Sequence, residues 1–208
     1  MVEPLQLKYY EWSDLVRRLV YYVGISIDGY IAGPGNEVDF YPVGDDLVEW
    51  MKERHPELIP THIRSQFGLT DVPNRRFDAL VMGRGTYQPA LDIGVTSPYS
   101  PLRQYVVSST LASIADPSVE LVTDDPVGLV RRLKAESSDK DICLAGGGKL
   151  AGTLLPEIDE LLVKWYPVVA GAGIPAFQGT FNPTPFTPTR RESFRNGIQV
   201  TWFQRTHS

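Results

Sequence analysis

Three consecutive glycines, Gly146-Gly147-Gly148, interrupt the apolar run Ile142-Cys143-Leu144-Ala145 and are followed by Lys149-Leu150-Ala151, where apolar residues resume at helical spacing. Glycine accepts backbone angles closed to other residues and lets a ligand approach the main chain with no Cβ in the way. A helix starting there points its free amides and positive dipole end at the turn, which suits a phosphate or pyrophosphate. Two other stretches offer matching chemistry. Gly83-Arg84-Gly85-Thr86 sets a guanidinium fork beside a hydroxyl, and Ser108-Ser109 adds two hydroxyls, a donor set for a phosphomonoester such as the 2′-phosphate of NADP. Each has a plainer reading: a turn that only joins strand to helix, a solvated arginine, two turn serines. GGG is not the GxGxxG fingerprint, and Leu150 after Lys149 breaks the P-loop pattern. Two carboxylates could move a proton, Asp46 in Asp45-Asp46-Leu47 and Asp28 in Asp28-Gly29. Both acids read equally as a helix first-turn acid and a turn residue. His55, His62 and His207 show no ligand spacing and read as surface residues, so no metal site is expected.

The elements that would position these groups follow from periodicity. Residues 19–26 are apolar on both faces, the pattern of a central, doubly covered strand. Turn residues on either side place Tyr30-Ile31-Ala32 in a loop leaving the sheet. A helix is predicted over 45–53, with Leu47, Trp50 and Met51 on one face, and a second runs from Pro126 to about Ala135. Residues 56–74, broken by Pro56, Pro60, Gly68 and Pro73, read as short helical turns and loop. Further strands are predicted over 77–82, 105–107, 119–122, 142–145 and 158–166. Asn196-Gly197 between two alternating runs signals a terminal β-hairpin. The fold class is therefore α/β: a mostly parallel central sheet flanked by helices, with an antiparallel C-terminal hairpin. Residues 1–18 read as an N-terminal extension and 19–208 as one domain.

At 208 residues, 42% hydrophobic and 22% charged, the chain suits a single full-sized core. A net charge of -5 excludes nucleic acid as the main partner. No apolar run reaches membrane-spanning length, no signal peptide precedes the first strand, and one apolar-strand cysteine, Cys143, leaves no internal disulfide. A cytoplasmic protein with a small-molecule substrate is expected.

Four stretches carry a family resemblance: residues 23–33 with Ser26-Ile27-Asp28-Gly29, Met82-Gly83-Arg84-Gly85-Thr86, Val106-Val107-Ser108-Ser109, and Ala145-Gly146-Gly147-Gly148. In this order they resemble the dihydrofolate reductase superfamily over residues 19 to 206, with 41–76 resembling a family-variable insertion. Residues 166–177 are similar to the reductase domain of the riboflavin-biosynthesis deaminase/reductase and its stand-alone relatives. No deaminase half is visible, as the HxE and PCxxC zinc signature is missing. The resemblance implies NADPH as hydride donor. Arg84, Thr86 and Ser108 then belong near the 2′-phosphate, Gly147 and Gly148 at the pyrophosphate, and Ile25 and Ile31 beside the nicotinamide, with Gly83, Ser109, Gly146, Lys149 and Leu150 completing the cofactor-binding set. Asp46 becomes the catalytic acid, and Asp28, Trp50 and Arg103 stand as substrate-binding candidates. The function implied is NADPH-dependent reduction of a small heteroaromatic, ribosylaminopyrimidine or pterin-like compound by a homodimer. An inactive NADPH-binding or sensor protein and a dihydrofolate reductase are the other readings. Against dihydrofolate stands Leu102, at the position where the resemblance calls for an arginine to bind the glutamate carboxylate; Arg103 would point to the opposite face.

Overall fold

A computed structural model describes residues 17–206. Eight strands form the main sheet: β1 (Leu19–Ile25), β3 (Phe77–Gly83), β4 (Arg103–Val107), β5 (Val119–Val122), β6 (Asp141–Gly146), β7 (Glu160–Trp165), β9 (Phe186–Ser193) and β10 (Gln199–Arg205). Their order is β5-β4-β3-β6-β1-β7-β10-β9. From β5 to β7 all pairings are parallel; β10 and β9 close one edge antiparallel. The expected fold class is what the chain adopts. Tyr30-Ile31-Ala32 departs from the loop reading: it forms β2 (Tyr30–Ala32), paired with β8 (Ile174–Pro175) in a small second sheet.

Alternation along β1 feeds two cores. Leu19, Tyr21 and Val23 pack on the face covered by α4 (Pro126–Ala135) and α5 (Gly148–Leu154). Val20 and Tyr22 pack on the other face, with α1 (Asp45–Arg54) and α3 (Arg84–Asp92). Burial on both faces explains why β1 reads as continuously apolar. Sequence alone misses α3, because Gly83, Gly85 and Pro89 all look like helix breakers; Pro89 lies inside the helix all the same. In α4 the Asp125 carboxylate caps the first turn by accepting from the Gly128 amide at 2.8 Å.

The domain begins before Leu19. Arg17 is buried, donating to the carbonyls of Leu133 and Lys140 and pairing with Glu136 and Asp78, so it fastens the end of α4 to β3. The rest of the predicted extension, residues 1–16, lies outside the described residues, as does His207.

Residues 56–76 fold around two buried charges that the broken pattern conceals. The Glu57 carboxylate is fully buried and accepts from the amides of Arg75 (3.2 Å), Arg76 (2.8 Å) and Phe77 (2.8 Å), fixing the entry to β3. The Arg64 guanidinium, also buried, donates to the carbonyls of Pro56 and Leu69, closing a short α2 (Thr61–Arg64) back on the chain. Removing the Glu57 carboxylate strands three amides away from water. Glu57→Ala is therefore expected to cost about 3 kcal/mol, and Glu57→Gln, which keeps an acceptor oxygen, clearly less. Urea unfolding midpoints check this; an unshifted Glu57→Ala midpoint contradicts it.

Candidate functional site

The carboxyl ends of β1, β3, β4 and β6 open into a cleft of about 870 Å³, within the range of about 300–1,000 Å³ typical of small-molecule sites. In one half, β3 passes straight into α3 and presents Arg84 and Thr86, while β4 ends at Ser108 and Ser109. Arg84 Nη1 donates to Thr110 Oγ1 at 3.0 Å, and Ser108 Oγ lies 3.3 Å from that hydroxyl. Ser108 Oγ also accepts from the Thr110 and Leu111 amides. A hydrogen-bonded chain thus joins the ends of β3 and β4, and among the described residues no carboxylate pairs with Arg84.

The glycine turn divides its work. Gly146 has φ +106°, a left-handed conformation that strains any other residue, and a Cβ there would meet the Thr86 and Tyr21 side chains. Gly147 borders the cleft, and a Cβ on it would meet only Ile31, at 3.8 Å. Gly148 is glycine for packing: a Cβ would lie 2.0 Å from the Pro175 carbonyl oxygen, and the Gln178 amide donates to its carbonyl at 2.9 Å. Lys149, Leu150 and Ile31 also border the cleft.

The other half of the cleft is apolar, walled by Met51, Leu58, Pro60, Leu80 and Tyr99. Residues 41–76 therefore build one wall of the site rather than an appendage. Polar atoms come from Tyr22, Cys143 and Lys164. Burial pushes the Tyr22 phenol and the Cys143 thiol up, so both are neutral. It pushes the Lys164 ammonium down to about 8. Adjoining this half, His55 stacks edge-on to Tyr22 at 5.4 Å.

Several residues expected at the site stand elsewhere. Asp46 is outside the cleft lining: Oδ1 accepts from the Leu47 amide at 3.0 Å and Oδ2 from the Arg195 amide at 2.9 Å, tying α1 to the β9–β10 turn. Asp28 is an exposed brace. The Ser26 hydroxyl and the amides of Ala170 and Gly171 bind it and hold its pKa down to about 2. Trp50 is buried against Phe194 and Trp202. Arg103 opens β4 at the end of the sheet remote from the cleft, forking onto Glu136 at 3.1 and 2.7 Å. Ile25 and Gly146 fall outside the lining, Ile25 because its side chain joins the α5-side core. His55 is not a surface residue: burial drives its pKa down to about 3, leaving it neutral. Thr110, Tyr22 and Lys164 are the residues that sequence reasoning missed. The signal for Lys164 was there, a lone charge inside Leu161-Leu162-Val163-Lys164-Trp165.

A mostly parallel sheet with a terminal hairpin, opening at its strand ends into a cleft with phosphate donors at one end, defines a dihydrofolate reductase-like fold. The model of the RibD C-terminal domain family matches residues 17–200, and the chain belongs to that family. It is 27% identical over 186 residues to the uncharacterized protein YwjB of Bacillus subtilis (strain 168), covering 88% of this chain and 96% of that protein. A protein of Shewanella sp. PV-4 assigned to riboflavin biosynthesis superposes with a TM-score of 0.67 at 23% identity, over 91% of this chain and 99% of that one. Dihydrofolate reductase from Enterococcus faecalis, solved with NADP(H) and RAB-propyl, gives 0.62 at 13% identity, over 91% and 97%.

With both Asp46 oxygens committed to backbone amides, Asp46→Asn is expected to lower stability by about 1 kcal/mol and to leave turnover within twofold of the parent. Unfolding midpoints and turnover, measured together, check this. A hundredfold loss of turnover in a normally stable variant would return the carboxylate to the chemistry.

Proposed function

We propose that the chain is an NADPH-dependent reductase of a small heteroaromatic compound, of the ribosylaminopyrimidine or pterin kind. The observation that carries this reading is the two-part cleft: a cationic, hydroxyl-rich half continuous with an apolar half, with no aspartate or glutamate lining either among the described residues. A dinucleotide phosphate needs donors and no competing anions, and the lining fits that need.

Arg84, Thr86, Ser108 and Ser109 would hold the 2′-phosphate, and the main chain at Gly147 and Gly148, with Lys149 beside it, the pyrophosphate. Ile31 would lie against the nicotinamide, which supplies a hydride when bound. The chain's own part is to bind, to orient and to keep water from the acceptor: Met51, Leu58 and Leu80 make a dry wall, and Tyr22 and Tyr99 offer ring faces to a planar substrate.

The acceptor half offers no arginine to a glutamate carboxylate. Leu102 is 4% exposed and packed in the core, and Arg103 is held by Glu136. Dihydrofolate is therefore the poorer substrate in this reading. The missing carboxylate also supports the rival, a protein that binds the cofactor without turning it over.

A homodimer in the cytosol accompanies the resemblance. Phe181, 96% exposed, is apolar surface left uncovered, whereas Trp202 and Phe203 of the hairpin pack on the two cores. Sedimentation at micromolar concentration is expected to give twice the chain mass; a monomer rejects that part.

Three measurements test the main reading. NADPH is expected to bind more tightly than NADH, and Arg84→Ala to weaken NADPH about 10- to 100-fold, from the loss of charge-assisted bonds, with NADH hardly affected. Equal affinity for the two cofactors removes the Arg84 assignment. Turnover of a riboflavin-pathway pyrimidinone should exceed that of dihydrofolate when both are offered with NADPH. Cofactor binding with no oxidation of NADPH by either favours the rival.

A further inference from the structure

Among the described residues, the acceptor half of the cleft holds one charged side chain. Lys164, on β7, has neither a hydrogen bond nor an ion pair with any described residue. In register it lies opposite Gly24 of β1, where a Cβ would crowd the Tyr166 ring at 2.8 Å and touch Lys164 Cε at an ordinary 3.7 Å. The lysine stem runs along Gly24 and brings its ammonium 4.1 Å from the centre of the Tyr22 ring. A cation over an aromatic face is favoured, but the ring leaves the three N–H donors unpaired.

The neighbouring titratable groups form no ion pair with Lys164: Glu57, whose charge acts on Tyr22 and Cys143, is spent on the amides of Arg75, Arg76 and Phe77. Tyr22 on β1, Cys143 on β6 and Tyr166 following β7 have pKa values raised by burial and are neutral; His55, from the turn after α1, is neutral because its pKa is depressed. Two more atoms here lack partners: the Tyr22 hydroxyl and His55 Nδ1, both buried. An ammonium with free donors, bordering an apolar slot and with no carboxylate in the cleft, calls for an electron-rich atom from a ligand.

We propose that Lys164 binds and protonates the substrate, its ammonium donating to the carbonyl oxygen of a planar cyclic carbonyl compound whose ring lies in the slot beside Tyr22. The proposal rests on the reductase reading and narrows it. The acceptor carries its carbonyl on, or conjugated with, the bond being reduced, so that negative charge gathers on oxygen. The carbon of the reduced bond accepts the hydride, the π pair moves to the carbonyl oxygen, and an Nζ proton follows it; NADPH is oxidised to NADP⁺, and the neutral amine regains a proton from water. Desolvation favours this exchange. A lysine titrating at about 8 is charged at neutral pH and gives up its proton more readily than a solvated one, near 10.4. The sign is fixed by the role: the active form is protonated, so activity falls as the pH rises through that value.

The test uses the whole protein, NADPH and a riboflavin-pathway pyrimidinone as the ring-carbonyl probe, with Lys164→Met to remove the charge at similar length and Lys164→Arg to keep it. Lys164→Met is expected to weaken pyrimidinone binding at least tenfold and to lower kcat about 10²-fold, with NADPH affinity, read by protein fluorescence quenching, within twofold of the parent. The parent kcat should decline above pH 8. Lys164→Arg should restore much of the pyrimidinone affinity and lose that alkaline decline. Equal pyrimidinone affinity and kcat in parent and Lys164→Met overturns the proposal, as does an alkaline decline that persists in Lys164→Arg. A parent that binds NADPH but not the pyrimidinone also overturns it while sparing the cofactor reading. Failure of the parent to bind NADPH removes the reductase reading itself. Carbon-13 dimethylation of the six lysines judges Lys164 in every case: its resonance, assigned by its absence in Lys164→Met, should titrate near 8, and a value at the ordinary lysine position rejects the acid role.

Discussion

With helices on both faces, the backbone of a parallel sheet is sealed from water along its length, and only the strand ends can offer amides, hydroxyls and charges to a ligand. This constraint determines where chemistry can occur in the molecule. β1 sits near the middle, sending Tyr21 into one core and Tyr22 into the other. β6 returns late in the chain to lie between β3 and β1, which brings the glycine turn against the end of β3. The two ends are in van der Waals contact there: a Cβ on Gly83 would be 3.5 Å from the Gly147 nitrogen.

A second close approach holds the other side of that turn. The chain after β8 crosses α5 so tightly that Cβ atoms on Gly148 and Gly152 would strike the carbonyl oxygens of Pro175 and Gln178 at 2.0 and 2.1 Å. Tyr21, reaching up from β1, donates its hydroxyl to the Ala176 carbonyl at 2.9 Å, anchoring the crossing to the middle of the sheet. α5 is thereby clamped between the sheet and this strap. The strap also carries Ile174 and Gln178 to the cleft, so the packing that fixes the turn completes the lining beside it.

Where a local pattern determines structure, the sequence is a good guide. Continuous apolar runs mark β1, β3 and β6, Asn196-Gly197 marks the hairpin, and the three phosphate-suited strand ends do meet in one cleft. Information carried by distant partners is not legible in this way. Nothing near Glu57 announces that its carboxylate will collect three amides some twenty residues later. Arg103 looks like a ligand contact until Glu136, far along the chain, engages it. Asp46 belongs to the same class: its position at a helix start is local, but the Arg195 amide that occupies it comes from the far end of the domain. The glycines show both cases, since Gly146 is required by its own φ whereas Gly148 is required by a strap that only the tertiary structure supplies.

Among the described residues, the charges that remain at the cleft are three cations, Arg84, Lys149 and Lys164, in a chain whose net charge is -5. Acidic groups are spent elsewhere: Glu57 on amides, Glu136 and Asp78 on Arg17 and Arg103, Asp141 and Glu160 on Arg76. An otherwise acidic surface with a cationic cleft focuses anions toward the opening and repels them elsewhere. Arg84 and Lys149 are exposed and solvated, so their attraction is screened by salt over about 10 Å at 0.1 M. Lys164 lies in the apolar half, where screening is weaker and each hydrogen bond it makes counts for more. The two solvated cations are thus suited to capture a phosphorylated ligand and the desolvated one to hold a single polar atom in a fixed place. On the role proposed for Lys164, a phosphate in the apolar half would compete with the ring carbonyl for the same donor. That role therefore calls for an acceptor whose ring carbonyl, rather than an anionic tail, reaches β7.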